Sequence, residues 1–137
     1  MKVKILVLCT GNSCRSQMAE GIIRSRNCNF EVYSAGTRPE KNVNPYAIEV
    51  MKEIGLDISS HYPKSVDEFT GTDFDYVITV CDNARKICPV FTGNVKHRVH
   101  KGFEDPFNAV GTDEEKRIVY RKVRDQIQDV FMEMFLK

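Results

Sequence analysis

The sequence predicts an α/β fold: a four-stranded parallel twisted sheet with helices on both faces. Three observations lead there. Short apolar or alternating runs follow one another with amphipathic helical stretches between them. The first run, Lys2-Val3-Lys4-Ile5-Leu6-Val7-Leu8, has the near-continuous apolar character of a strand buried on both faces. No repeat, low-complexity tract or Pro/Gly-rich linker divides the 137 residues, so residues 1–137 are expected to form a single domain.

The elements follow in order. After the strand over residues 2–8, a polar loop spans residues 9–14, and a helix runs from Arg15 to about Asn27, burying Met18, Ala19, Ile22 and Ile23. Phe30-Glu31-Val32-Tyr33-Ser34 alternates as a strand does and stops at Gly36. In the next helix Asn44 supplies the cap and Pro45 the first position; Ala47, Ile48, Met51 and Ile54 form the stripe, and Gly55 ends it. Tyr76-Val77-Ile78-Thr79-Val80 is a third strand ending at Cys81, and a fourth lies near residues 95–99. Thr112 and Glu115 have the spacing of a capping box, and Val119, Val123, Ile127, Val130 and Met134 recur on one face of the last helix. Ligands of such sheets bind at the carboxyl ends of the strands, so Cys9 and Cys81 can share one site.

Composition narrows the function. A hydrophobic fraction of 42% supports one core, and 20 Lys plus Arg nearly cancel 19 Asp plus Glu. No global charge draws the chain to nucleic acid or anionic lipid, so any anion affinity has to come from a local site. The apolar run at the amino terminus is too short for a signal core, and nothing approaches the ~18 residues of a membrane span. A cytoplasmic protein is expected. Five cysteines, an odd number, do not suit a disulfide framework there. Catalysis, redox cycling or metal binding remain, beside inert buried thiols.

The loop Cys9-Thr10-Gly11-Asn12-Ser13-Cys14-Arg15-Ser16 joins a strand to a helix with five residues between the cysteine and the arginine. A loop of this length can curl around a tetrahedral anion, with backbone N–H groups and the helix start directed inward. Gly11 permits the tight backbone, and Arg15 can hold two oxygens bidentately. The same field acts on Cys9. A thiol of pKa ~8.5 is a few per cent ionised at pH 7, and a depression of about 2 would ionise most of it. Loop amides, the helix end and the Ser16 hydroxyl are the expected sources. The competing reading is an ordinary turn holding a buried cysteine.

The run from Val7 to Gly21, with Tyr33-Ser34-Ala35-Gly36, residues 51–59, Cys81, Cys88 and Gly102-Phe103-Glu104-Asp105-Pro106, resembles the thioredoxin-coupled arsenate reductases. These share the low-molecular-weight tyrosine phosphatase fold. Ser16-Gln17-Met18 after the arginine is similar to the reductases, whereas the phosphatases usually carry Ser-Pro there. The resemblance implies reduction of arsenate to arsenite by a three-cysteine relay. In it Cys9 is the nucleophile, a Cys9–Cys81 disulfide forms and then a Cys81–Cys88 disulfide, and thioredoxin restores the dithiol. It also implies that Asp105 is the general acid, although Asp105-Pro106 on its own is a common turn pair; Glu104 is the neighbouring candidate. No cofactor or metal is expected to be bound. Arsenate and thioredoxin are the expected partners, with the chain monomeric.

A helix over residues 82–88 would set Cys88 ~10 Å along the axis from Cys81, whereas a disulfide needs Cα atoms within about 7 Å. That segment is therefore expected to rearrange on oxidation. The alternative is that Cys81 and Cys88 simply pack. Cys14 is expected to pack or shape the loop, and Cys28 has no evident partner.

Some relatives bind potassium at positions matching Asn12, Glu20, Ser34 and an aspartate that is Lys64 here. The ammonium would either take the cation's place or point to solvent. The chain has no Trp, with Lys101 near where relatives carry one, so the acid loop is open to a different packing. His61, His97 and His100 show no zinc spacing and are expected on the surface or in loops. Two rival functions remain. One is a tyrosine phosphatase using Cys9, Arg15 and Asp105, with Phe107 as a pocket wall. The other is an arsenite or redox sensor that needs no Asp105.

Overall fold

Strand β1 (Val3–Cys9) runs through the centre of the protein, and its residues from Ile5 onward are all buried. Its side chains alternate between two cores, as the period of two requires. Ile5, Val7 and Cys9 enter one cluster, Leu6 and Leu8 the other. The computed structural model describes residues 2–81, 91 and 93–135. Cys88 and the expected helix over residues 82–88 lie outside the described residues.

Strand β2 (Phe30–Gly36) pairs in parallel with β1, placing Gly36 beside Cys9. On the other side of β1 lies β3 (Phe74–Thr79), followed by β4 (Val95–His100), giving the parallel order β2-β1-β3-β4. The four expected strands are all present. The third starts earlier than the sequence suggested because Phe74 is buried in the second core. Beyond its end, the Val80 N–H still donates to the Leu8 carbonyl at 3.0 Å, which draws Cys81 towards Cys9.

One sheet face packs against α1 (Arg15–Arg24), α2 (Pro45–Glu53) and α3 (Asp113–Met134). The other is covered by a short 3-10 helix, Val66–Phe69, with Tyr33, Phe74 and Phe91. Helix α1 is shorter than expected because the Ser25 hydroxyl donates to the Ile22 carbonyl at 2.6 Å and closes its last turn. The expected caps are formed: the Asn44 side chain accepts the Tyr46 N–H, Gly55 takes φ 81°, and Thr112 and Glu115 make a reciprocal capping box. The buried stripe of α3 is Tyr120, Val123, Ile127 and Phe131, one position away from part of the expected set. The aromatic rings have more apolar area to remove from water, so they take the core and leave Val130 and Met134 partly buried.

Candidate active site

The carboxyl ends of the strands meet at one pocket of about 660 Å³. It is lined by the whole Cys9–Arg15 loop and by Asp105, with Arg38, Lys41 and Phe107.

The loop is shaped by where its carbonyls go. The Thr10 carbonyl accepts from the Arg38 N–H, that of Gly11 from Glu40, and that of Ser13 from Asn44, each at 2.9 Å. The Asn12 carbonyl accepts from the Gln17 side-chain amide at 3.0 Å. A trans peptide points its C=O and its following N–H in opposite directions. Anchoring these four carbonyls outward therefore directs the N–H groups of Gly11, Asn12, Ser13 and Cys14 to the concave side, where an anion fits. Asn12 completes the curl at φ 52°, fully buried, with its Nδ2 donating to Ser16 Oγ at 2.8 Å. Helix α1 begins at Arg15 with no side-chain cap from Cys14, and the positive end of its dipole faces the loop.

Gly36 closes the outer side of the loop. A Cβ there would stand 2.9 Å from the Thr10 carbonyl carbon, a backbone atom that cannot swing away.

Cys9 is buried, and its thiol pKa is lowered to about 7. The largest cause is a hydrogen bond from the Cys81 side chain, opposed by burial; the Arg15 charge and the Thr10 N–H add to the lowering, and Asp105 raises it slightly. The Ser16 hydroxyl oxygen accepts from Asn12 Nδ2, which leaves the hydroxyl's own proton as a donor. Cys14 is also buried, and desolvation drives its thiol pKa far up, which leaves it an inert packing group. Cys28 is exposed and remote from the pocket lining.

Arg15 is buried, with Nη1 donating to the Phe103 carbonyl at 3.0 Å and Nη2 lying 3.5 Å from Asp105 Oδ2. Asp105 caps the 3-10 helix Pro106–Asn108 by accepting the Phe107 N–H through Oδ1, which turns Oδ2 towards Arg15. It is thus both a turn residue and a site residue. Glu104 points away, pairing with Lys122 of α3 at 3.3 Å.

All three histidines stand where expected, His97 and His100 at the surface and His61 in a loop. The His61 ring is largely buried, Nδ1 stands 3.0 Å from Gln17 Oε1 and 3.6 Å from Glu20 Oε2, and burial lowers its pKa. His97 and His100 lie on β4, where they stack on Tyr76 and bond Thr79. Sequence reasoning missed residues 37–44 as the outer support of the loop, and Gln17 as its inner one. Their role depends on contacts with distant backbone, and nothing in their local pattern signals it.

The residues matching the relatives' potassium position do not suit a cation here. Glu20 accepts from Arg24 Nη2 and from the Ser34 hydroxyl, both at 2.6 Å, and Asn12 Oδ1 accepts the Lys64 N–H at 2.8 Å. Lys64 Nζ itself turns to the Tyr62 carbonyl at 2.9 Å and lies over the Tyr62 ring. Arg24, rather than Lys64, is the cation on Glu20.

Comparison with known proteins agrees with this geometry. The family model described as low molecular weight phosphotyrosine protein phosphatase matches residues 4–136. A protein of Halalkalibacterium halodurans named arsenate reductase is 50% identical over 127 residues, covering 92% of this chain and 90% of the relative. One from Bacillus subtilis with the same name is 45% identical over 124 residues, covering 90% and 88%. The solved structure of an arsenate reductase in the phosphate-binding state superposes with a TM-score of 0.79 at 31% identity, covering 99% and 98%. A low-molecular-weight protein tyrosine phosphatase from T. tengcongensis superposes with a TM-score of 0.74 at 25% identity, covering 98% and 99%. With that match across nearly its whole length and an oxyanion loop built as described, the chain belongs to the low-molecular-weight phosphotyrosine protein phosphatase family.

Proposed function

We propose that this protein reduces arsenate to arsenite. One observation carries the reading: the Cys81 thiol hydrogen-bonds the Cys9 sulfur at the base of the anion loop. Phosphoryl transfer needs one nucleophile and an acid, whereas reduction by two electrons needs a second thiol beside the first. The names of the relatives agree.

Arsenate enters the loop, where the inward N–H groups and Arg15 hold its oxygens. Cys9 thiolate attacks arsenic, and Asp105 protonates the departing oxygen, which leaves as water with an S–As bond in its place. Cys81, having lost its proton, attacks the Cys9 sulfur. The S–S bond forms, the S–As electron pair stays on arsenic, and As(V) leaves as As(III) arsenite. Cys88 then attacks Cys81, Cys9 departs as thiolate, and a Cys81–Cys88 disulfide remains. A dithiol protein of the thioredoxin type reduces it, taking the oxidation as its own disulfide. The protein works as a monomer without a resident cofactor. Among the described residues no helix is long and apolar enough to cross a membrane.

Phosphatase activity is the second reading, favoured by Phe107 in the pocket lining beside Asp105. The discriminating experiment follows NADPH oxidation with arsenate, thioredoxin and thioredoxin reductase in wild type, Cys81→Ser and Cys88→Ser. Sustained turnover in wild type alone supports the relay. Absent arsenate turnover, with phosphatase activity indifferent to both substitutions, overturns it. A non-catalytic sensor would instead retain its function in Asp105→Asn.

A further inference from the structure

Four outward-facing carbonyls define the anion loop, and three of them are held by backbone N–H groups of residues 38–44. The fourth, that of Asn12, is held by a side chain, the Gln17 amide. Gln17 is fully buried, and its Nε2 also lies 3.2 Å from Asn12 Oδ1 and 3.1 Å from the Tyr62 carbonyl. Its Oε1 faces His61 Nδ1 at 3.0 Å. The turn it reaches is fixed in turn to the loop and the sheet: the Lys64 N–H donates to Asn12 Oδ1, and the Lys64 carbonyl accepts the Gly36 N–H at 2.8 Å.

We propose that Gln17 is a positioning residue for oxyanion capture. Its amide clamps the Asn12–Ser13 peptide with the carbonyl outward, and so aims the Ser13 N–H into the anion cradle. The clamp matters at this peptide because Asn12 sits at φ 52°, in the left-handed region, where its side-chain and carbonyl hydrogen bonds hold the backbone. Gln17 does not touch the anion; it acts through Asn12, using residues 61–62 as its far anchor. The inference extends the proposed arsenate chemistry to the residue that sets anion affinity, and it holds for any tetrahedral oxyanion.

The test measures alkylation of Cys9 by iodoacetamide, resolved by peptide mass spectrometry, and its protection by inorganic phosphate. Gln17→Met keeps the length without the donors, and Gln17→Glu keeps an acceptor without them. Both are expected to raise the phosphate concentration for half-protection about tenfold, the effect of one lost hydrogen bond in a buried site. Ile22→Val, a buried packing change in the same helix, should lower the melting temperature and leave phosphate protection unchanged. If Gln17→Met fails to fold, Gln17→Glu decides. Unaltered protection in a folded Gln17 variant, or an equal shift in Ile22→Val, overturns the proposal. Phosphate protection is read without arsenate turnover, so loss of the reductase reading would show separately.

Discussion

Arg15 Nη2 lies 3.5 Å from Asp105 Oδ2 across the pocket, while its other terminal nitrogen grips the Phe103 carbonyl. The guanidinium thus fastens the acid loop to the anion loop before any substrate arrives. An incoming oxyanion competes with Asp105 for this charge. Lysine cannot reproduce a fork that serves a carbonyl and an anion together. Arg15→Lys is expected to lower kcat/KM for arsenate by about 100-fold or more, the scale of losing a preorganised donor. Steady-state kinetics with the melting temperature as a folding check measures this.

The Cys9 pKa of about 7 makes the alkylation rate a titration curve. Reactivity should rise with pH and reach half its maximum near pH 7. Replacing Cys81 with alanine removes the largest stabiliser of the thiolate, so the midpoint moves up and the rate at pH 6.5 falls. A midpoint that stays in place in Cys81→Ala would show that Arg15 and the Thr10 N–H hold the thiolate unaided.

Gly36→Ala tests the loop from outside. The added methyl meets the Thr10 backbone, so the loop has to move. Weaker phosphate protection of Cys9 is expected, with a stability loss of about 1–3 kcal/mol in denaturant unfolding.

Potassium should have little effect. Glu20 already carries Arg24 and Ser34, and Asn12 Oδ1 already accepts from Lys64. Equal activity in potassium and sodium salts at the same ionic strength is the expected outcome. Arg24→Ala should then destabilise the protein, because it strips the guanidinium from a carboxylate that is only 5% exposed.

Phe131 links the core to the site: it is fully buried and packs on Phe103, whose carbonyl binds Arg15. Phe131→Ala is expected to cost about 3–5 kcal/mol in thermal or denaturant unfolding.

The sequence by itself determined the strand and helix order, the parallel sheet, the caps at Asn44 and Thr112, and the anion loop between Cys9 and Arg15. These are local: periodicity, capping chemistry and loop length act within a few residues. It also named Cys81 and Asp105 as partners through family resemblance, although Asp105-Pro106 alone reads as a turn. Only the tertiary structure decided which atoms meet. It put the Cys81 thiol on Cys9, brought the Asn12 side-chain amide onto Ser16 Oγ, and set Arg24 on Glu20. It drew His61 inward and made Gln17 the brace of the loop. The physical reason is that a polar side chain takes whichever partner satisfies it when water is excluded, and those partners lie up to tens of residues away.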